Sequence, residues 1–407
     1  MMVKLDEERC RNCNFCNMVL CPQKNVKKAI ESGLCMGCEA CLLACPEEAL
    51  IPDSNLNYPF EDYSITVNGK SLKSRGMIKD ALKKAGIHIE NVLDGLNNKN
   101  IAKIFLPCQS GACWACSVLV DGQYALSCIT PLSEGMDICT LENPPPLRVV
   151  SGFGAHTVGG VGTPYQLKQN EGPIEVVAFT HGCNLRCPQC QNYQMAYTAG
   201  GHLLDSHETA QILLGLKDQY KVNRITLSGG ECTLNASWLL GVIKKIRILS
   251  KDVKIHVDTN GTILTPDYID NLIKAGMTEI GIDLKALHTN TFLKITGLED
   301  VTLAKNYLKN SWNAVEYIIK NNLDVFLGIG IPYNPEFTSK VELLEMGNYL
   351  VDLDPKIQVS VLDYRGEFRR KDLKKPSFEK MMEMKSILNS SGLQSVIVQT
   401  SEGHIGP

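Results

Sequence analysis

Residues 180–192 read THGCNLRCPQCQN, and Cys183, Cys187 and Cys190 stand in the spacing C-x3-C-x2-C. Three thiolates leave a [4Fe–4S] cluster one iron short of a protein ligand. An open iron is where a substrate or cofactor would chelate. The preceding run, IEVVAFT (174–180), is apolar and β-branched. The cysteines are therefore expected on a loop that follows a strand.

Downstream the same layout recurs. NRITLS (223–228) reads as a short strand with Gly229, Gly230 and Glu231 at its end. One helix separates it from the cysteine loop, expected from Asp205 to Lys217 with Asp205 or Ser206 as the cap. VKIHVD is a strand ending in Asp258-Thr259-Asn260-Gly261, and EIGIDLKA places Asp283 and Lys285 at the end of another. DVFLGIGIPYN ends a strand near Gly328, Gly330 and Pro332. With IQVSVL there are six such strands, separated by helical stretches such as ASWLLGVIKKIRIL and PDYIDNLIKAG. Alternating strands and helices at this spacing predict an α/β partial (βα)6 TIM-type barrel over residues 173–365. The polar residues all fall after strands, on the face where such barrels carry chemistry. Alone, Asp283, Lys285 or Gly328 reads as a loop or packing residue; the ordered set does not.

That set resembles the radical S-adenosylmethionine (SAM) superfamily. The string GCN-R-CP-CQN is similar in wording to the pyruvate formate-lyase activating enzymes and a related archaeal group. The resemblance implies a [4Fe–4S] cluster on Cys183, Cys187 and Cys190 whose fourth iron binds SAM. It implies SAM contacts from Gly229, Gly230 and Glu231, from Asp258 and Asn260, and from Asp283 and Lys285. Two departures stand out. An aromatic residue usually precedes the third cysteine and packs near the adenine; here it is Gln189, which leaves Tyr193 as a stacking candidate. Proline usually follows the GGE motif; here Cys232 does. Cys232 reads as a small side chain near the SAM pocket, or as a ligand, a thiyl relay or a substrate-contacting thiol.

The chain has 17 cysteines, and most lie upstream of this loop. Cys10, Cys13, Cys16 and Cys21 run C-x2-C-x2-C-x4-C-P, and Cys35, Cys38, Cys41 and Cys45 run C-x2-C-x2-C-x3-C-P. The second spacing is that of two-cluster bacterial ferredoxins. The crossed ligation of that family implies one [4Fe–4S] cluster on Cys10, Cys13, Cys16 and Cys45. It implies another on Cys35, Cys38, Cys41 and Cys21, the extra residue before Cys21 being a departure. A structural zinc site is the alternative, although zinc sites favour two CxxC pairs over CxxCxxC triplets. Cys108, Cys113, Cys116 and Cys128 follow C-x4-C-x2-C with a distant fourth, the plant-type [2Fe–2S] spacing. Ahead of them, YSITVNGKSLKS predicts a hairpin across Asn68-Gly69, and MIKDALKKAGIHI a short helix. This segment resembles the β-grasp [2Fe–2S] domains of succinate dehydrogenase and the xanthine dehydrogenase family. A cluster-free relic of that fold is its alternative.

The expected organisation is a two-cluster ferredoxin-like domain (1–55), a β-grasp domain (60–141), a Pro/Gly-rich linker (142–172), the barrel (173–365) and a helix/strand extension (366–407). Cys139 reads as a small buried side chain. The basic run DYRGEFRRKDLKKP reads as a solvated face or a docking patch for an acidic partner. His404 sits in SEGHIGP, expected as a loose tail, or as a ligand or lid at the barrel mouth.

Lys+Arg is 41 against Asp+Glu 44, for a formal charge of −3. That balance argues against nucleic acid as a partner. No apolar run is long enough for a membrane span, and MMVKLDEERCRN reads as no signal peptide. An anaerobic, archaeal-type cytoplasmic enzyme is expected, since that compartment keeps thiols reduced. The resemblance implies reductive SAM cleavage and hydrogen abstraction, with a protein or peptide residue as substrate and post-translational modification as the result. The remaining clusters then either relay electrons from an external low-potential donor or accept one from the product radical. Two other readings stand beside this oxidoreductase or activase. One is a cobalamin-dependent C-methyltransferase acting on a protein such as methyl-coenzyme M reductase. The other is a non-catalytic electron-transfer protein.

Overall fold

A computed structural model of the 407-residue chain describes residues 2–53, 61–90, 103–140, 145–169, 172–321 and 323–407. The expectations for Glu142, Asn143 and Pro144 lie outside these residues.

The N-terminal unit pairs β1 (Met2–Leu5) with β2 (Leu50–Asp53) antiparallel, enclosing the short helices α1 (Val26–Glu31) and α2 (Ala40–Ala44). The loops between these elements carry cysteines and use left-handed backbone at Asn12, Asn14 and Glu39.

In the second unit β3 (Tyr63–Val67) and β4 (Lys70–Ser74) form the expected hairpin. Asn68 and Gly69 both take positive φ, as a two-residue type I′ turn demands. Helix α3 (Ile78–Lys84) follows, with Asp80 accepting from the Met77 backbone N–H at its start. β5 (His88–Glu90) and β6 (Lys103–Phe105) pair in parallel. β7 (Ser117–Val120), β8 (Gln123–Leu126) and β9 (Asp137–Thr140) complete a five-stranded sheet of order β4-β3-β9-β7-β8.

The third unit is a ten-stranded sheet. β10 (Leu147–His156) enters first, beside β11 (Glu175–Thr180) on one edge and β12 (His202–Asp205) on the other, antiparallel to both. Seven strands then run parallel from β11 through β13 (Arg224–Gly229), β14 (Lys254–Thr259), β15 (Glu279–Asp283), β16 (Phe326–Tyr333), β17 (Gln358–Asp363) and β18 (Ser395–Thr400). β19 (Gly403–Ile405) closes the order antiparallel to β18. These strands are buried almost residue by residue, as a parallel sheet covered on both faces requires.

α4 (Tyr193–Tyr197) follows the cysteine loop. The longer helices are α5 (Ser206–Tyr220), α6 (Ala236–Leu249), α7 (Pro266–Ala275), α8 (Thr289–Thr296), α9 (Val301–Lys320), α10 (Lys340–Leu353) and α11 (Phe378–Ser390). Their starts are written locally. Asp205 and Glu208 form a capping box on α5, and Thr265 caps α7 with Pro266 at its first turn.

Two boundaries differ from expectation. The 142–172 stretch is more than a linker, because Leu147–His156 is a full strand whose residues 148–150 alternate no turn signal with their apolar neighbours. The 366–407 stretch holds the expected helix and strand, and its SVIVQT (395–400) pairs in parallel with β17 to make a seventh parallel strand where six were counted.

After β10 the loop Val158–Thr163 lies against the sheet. Val161 N donates to Asp258 Oδ1 (3.1 Å), and the Val161 side chain and carbonyl sit where side chains on Gly330 and Gly328 would stand. Glycine at these strand positions is therefore a requirement of close approach. Below the loop, Glu175 accepts from Gly160 N (3.0 Å) and Thr163 Oγ1 (3.0 Å) and lies 2.8 Å from His156 Nδ1. His256 is fully buried between Asp258 (2.8 Å) and Glu175 (3.7 Å). Burial alone would lower the His256 pKa, but the Asp258 and Glu175 carboxylates raise it to about 10.

A histidine raised above its unfolded value, about 6.5, contributes stability that is complete below that pH and is lost as pH rises through the folded value. Urea midpoints are therefore expected to fall more steeply from pH 7 to pH 10 in the wild type than in His256→Gln. At pH 7 that substitution should cost about 3 kcal/mol, the scale of a broken buried ion pair.

Candidate functional site

Cys183, Cys187 and Cys190 line a cleft of about 1420 Å³, its open mouth included, at the C-terminal ends of the parallel strands. Gly229, Gly230, Asp258, Asn260, Asp283 and Lys285 line the same cleft. The structure thus brings together every expected residue of this set but one.

The exception is Glu231. Its carboxylate is fully buried and accepts from Thr233 N (3.1 Å), Thr233 Oγ1 (2.6 Å), Thr259 Oγ1 (2.7 Å) and Asn260 N (2.8 Å). Three of those bonds end on Oε1 and one on Oε2. Glu231 thus holds the Thr259–Asn260 turn after β14.

The cysteine loop is pinned from several sides. Arg186 donates to Cys183 O (2.9 Å) and Leu185 O (2.9 Å), and its backbone N–H reaches Thr296 O (2.8 Å). Asn184 and Asn260 share a 3.1 Å bond, and Tyr197 Oη donates to Cys187 O (3.2 Å). Burial pushes the Cys183 thiol up to about 12, with the neighbouring Cys187 adding to the shift. Burial opposes the charge on Lys285, yet Asp283 (2.8 Å) and the Cys187 thiol hold its ammonium above the ordinary value.

Arg148 is the residue that sequence reasoning missed. It is fully buried on β10 and donates to His181 O (2.9 Å), Glu231 O (2.6 Å), Cys232 O (2.9 Å) and, at 3.5 Å, Gly182 O. One guanidinium thereby holds the loop after β11 and the loop after β13 together. Cys232 lies beneath, fully buried, its thiol donating to Asp258 O (3.1 Å). It does not face the cleft. Tyr193 does not either: it stacks on Phe368 (4.9 Å) and meets Phe15 at a tilt (5.3 Å), while Phe179 and Tyr364 line the cleft.

The upstream cysteines gather as well. Cys10, Cys13, Cys16 and Cys45 line one cavity in the N-terminal unit. Burial raises the Cys16 thiol, and Cys45, Cys13 and Cys10 affect it in turn. Burial likewise raises Cys41, with Cys38, Cys35 and Cys21 as neighbours. Cys108, Cys113, Cys116 and Cys128 are all buried in the second unit. A hydrogen bond from Cys113 holds the Cys108 thiol well below its ordinary value, and one from Cys128 lowers Cys116. Those two pairs are the first two and last two cysteines of the motif. Cys139, expected to be buried, is exposed on β9. Among the described residues no three His, Cys, Asp or Glu side chains are arranged to hold a single metal ion.

The units touch at these sites. Gly182, next to Cys183, packs so closely on the second unit that a Cβ there would lie 3.1 Å from Cys108 and 3.3 Å from Cys113. Arg186 also reaches Cys108 O (3.2 Å), and Asn235 Nδ2 reaches Cys113 O (3.3 Å). The basic run is neither free nor wholly solvated. Arg369 donates to Cys45 O (3.0 Å) and Leu42 O (2.6 Å), and Lys371 pairs with Glu47 (2.6 Å). Arg370 pairs instead with Glu336 and Asp372, and Lys375 with Asp363. His404, expected as a loose tail or a lid, lies on β19 and lines the cleft.

Residues 177–346 match the family model described as the radical SAM superfamily. This stretch is a radical SAM domain. The family implies a [4Fe–4S] cluster and SAM, and three cysteines opening on a cleft beside Gly229 and Gly230 fit that pair. Among curated relatives, a probable GTP 3′,8-cyclase of Saccharolobus solfataricus is 31% identical over 123 residues, 30% of this chain and 38% of that protein. The GTP 3′,8-cyclase of Clostridium acetobutylicum is 29% identical over 126 residues, 31% of this chain and 39% of that protein. The chain thus spans less than half the length of these relatives. Streptococcus suis SuiB, solved bound to S-adenosylmethionine, aligns at a TM-score of 0.42 and 15% identity, covering 53% of this chain and 48% of that one. Among the described residues, no helix is long and apolar enough to cross a membrane.

Replacing Arg148 by Met keeps the volume and strands up to four buried carbonyls. The expected loss is about 3 kcal/mol or more of unfolding free energy, since each unsatisfied buried acceptor costs about 1–3 kcal/mol. Urea unfolding under anaerobic conditions measures it.

Proposed function

We propose that the chain is a radical SAM enzyme whose cleft binds SAM beside a [4Fe–4S] cluster held by Cys183, Cys187 and Cys190. Its substrate is taken to be a protein or peptide residue, and its class an oxidoreductase or activase. The observation that carries the reading is the convergence of those three cysteines with Gly229, Gly230, Asp258, Asn260, Asp283 and Lys285 in one cleft. When bound, cluster and cofactor supply one chemistry: an electron splits SAM into methionine and a 5′-deoxyadenosyl radical that takes hydrogen from the substrate.

The chain's own residues prepare the place. Three cysteines rather than four leave one coordination position to a ligand. Gly229 and Gly230 let backbone approach where a side chain would clash with the Thr180 and Gly182 carbonyls. Asn260 and Asp258 present polar atoms at the end of β14, and the Asp283–Lys285 pair does so at the end of β15. Arg148 and Glu231 hold the two loops that carry these groups. A partial barrel is the shape we propose for the sheet. The cleft is lined both by Phe179 on β11 and by Gln399 on β18, six strands away in the sheet. At about 4.8 Å per strand a flat sheet would separate them by roughly 29 Å.

We further propose two [4Fe–4S] clusters in the N-terminal ferredoxin-like unit, on Cys10, Cys13, Cys16 and Cys45 and on Cys21, Cys35, Cys38 and Cys41. A [2Fe–2S] cluster on Cys108, Cys113, Cys116 and Cys128 belongs to the β-grasp unit. Each of these sites has its full four thiols, so their role is to relay electrons from an external low-potential donor. Two contacts support a relay. Gly182 abuts Cys108 and Cys113. An aromatic run of Phe15, Tyr193, Phe368 and Tyr197 joins the neighbour of Cys16 to the Cys187 carbonyl, with centroid steps of 5.3, 4.9 and 5.2 Å.

Anaerobic incubation of the iron-reconstituted chain with dithionite and SAM is expected to release 5′-deoxyadenosine, and Cys187→Ala to release none above background. No release from the wild type would overturn the enzymatic reading.

A further inference from the structure

The cleft extends beyond the residues expected for SAM. Its far end, beneath the loop after β10, is lined by His156, Lys168, Ser360, Gln399 and His404. None of these belongs to the cysteine and glycine set described above. Three of them carry polar side chains that make no hydrogen bond among the described residues. Ser360 Oγ is the firmest case, since the residue is only 4% exposed and its hydroxyl has no partner. Gln399 and His404 face each other across the β18–β19 ladder, and their side chains turn to the cleft. A buried hydroxyl without a partner costs free energy that a ligand can recover.

The charges around this end decide which ligand. Among the described residues, every carboxylate that borders it already has a basic partner, Glu175 and Asp258 sharing His256. Glu175 has His156 at 2.8 Å and His256 at 3.7 Å, and Asp258 has His256 at 2.8 Å. Asp283 has Lys285 at 2.8 Å, and Asp363 has Lys375 at 2.7 Å and Arg365 at 3.4 Å. Lys168 is different. Its ammonium donates to three loop carbonyls, of Val158 (3.2 Å), Gly159 (3.3 Å) and Gly160 (2.7 Å), and has no carboxylate of its own. Asp258 and Glu175 are its nearest acidic groups, and both are paired elsewhere. The Lys168 ammonium, held by carbonyls alone, lines the same end of the cleft as the unpartnered groups.

We propose that Ser360, Gln399 and His404, beside the Lys168 ammonium, form a seat for an oxyanion carried by the substrate, a carboxylate or a phosphate. The proposal rests on the radical SAM reading of the same cleft and names the class of its substrate. A hydroxyl, an amide N–H and an imidazole N–H are three donors, and a fully ionised oxyanion accepts from all of them. Lys168 contributes charge rather than a bond, because its three protons are already used.

Equilibrium dialysis of the reconstituted full chain under anaerobic conditions tests this, with labelled inorganic phosphate, succinate and glycerol as probes. The expected result is one saturable equivalent of phosphate or succinate per chain and no bound glycerol. Ser360→Ala and His404→Ala should each weaken that binding about tenfold, a loss of about 1.4 kcal/mol. Iron content and circular dichroism check that both variants are folded. Binding of neither anion, equal binding of glycerol, or unchanged binding in both variants would overturn the seat. Phosphate against succinate tells a phosphorylated substrate from a carboxylate one. Oxyanion binding without SAM cleavage would leave the seat standing and remove the enzymatic reading; SAM cleavage without oxyanion binding would do the reverse.

Discussion

The buried guanidinium of Arg148 sets the geometry of the whole site. It stands on β10, a strand that enters from the second unit, and it bonds the carbonyls of His181, Gly182, Glu231 and Cys232. Those carbonyls belong to two different loops, one leading into Cys183 and one carrying the glycine pair. A charged group taken out of water must be fully bonded to be tolerated. Moving either loop would break several charge-assisted bonds at once. The Glu231 carboxylate does the reciprocal task one strand further on, accepting from the Thr259–Asn260 turn. Together they fix three successive strand ends, β11, β13 and β14, and thereby the relative placement of Cys183, Gly229, Gly230, Asp258 and Asn260.

A second constraint acts from the other side of the cleft. The Val158–Thr163 loop lies against β15 and β16 because those strands carry glycine at 281, 328 and 330, and it bonds Asp258 and His256 of β14. Glu175 and His256 satisfy the loop from below, and its carbonyls hold Lys168. The stretch between the second unit and the sheet therefore builds the site at both ends. The β10 strand supplies Arg148 and His156, and the turn Tyr165–Gln169 supplies Lys168.

Much of this was legible in the sequence. The Cys183 loop, the strand ends at Gly229, Asp258 and Asp283, and the helices at 236–249 and 266–275 all carry local signals: cysteine spacing, strand–turn alternation, caps and a first-turn proline. What escaped was non-local. Arg148 follows a Pro/Gly-rich run and looks like any arginine; only its four carbonyl partners reveal it. SVIVQT was legible as a strand, but nothing local says that it pairs with β17. Glu231 is drawn as a ligand contact by its motif, and its four internal bonds are a fact of folding. Arg369 and Lys371 read as solvated charge because their partners, Cys45 O and Glu47, lie more than 300 residues away. The short-range cysteine spacings, by contrast, carry their grouping in the sequence itself.

The account assigns fifteen of the seventeen cysteines to four iron–sulfur sites and leaves Cys139, exposed, and Cys232, buried, outside them. Iron analysis with Mössbauer spectroscopy of anaerobically reconstituted protein tests that assignment most directly. The account predicts about 14 iron atoms per chain, three cubanes and one [2Fe–2S] centre, with the [2Fe–2S] signal alone lost in Cys113→Ser. A content near four iron atoms, with no [2Fe–2S] signal in the wild type, would contradict it.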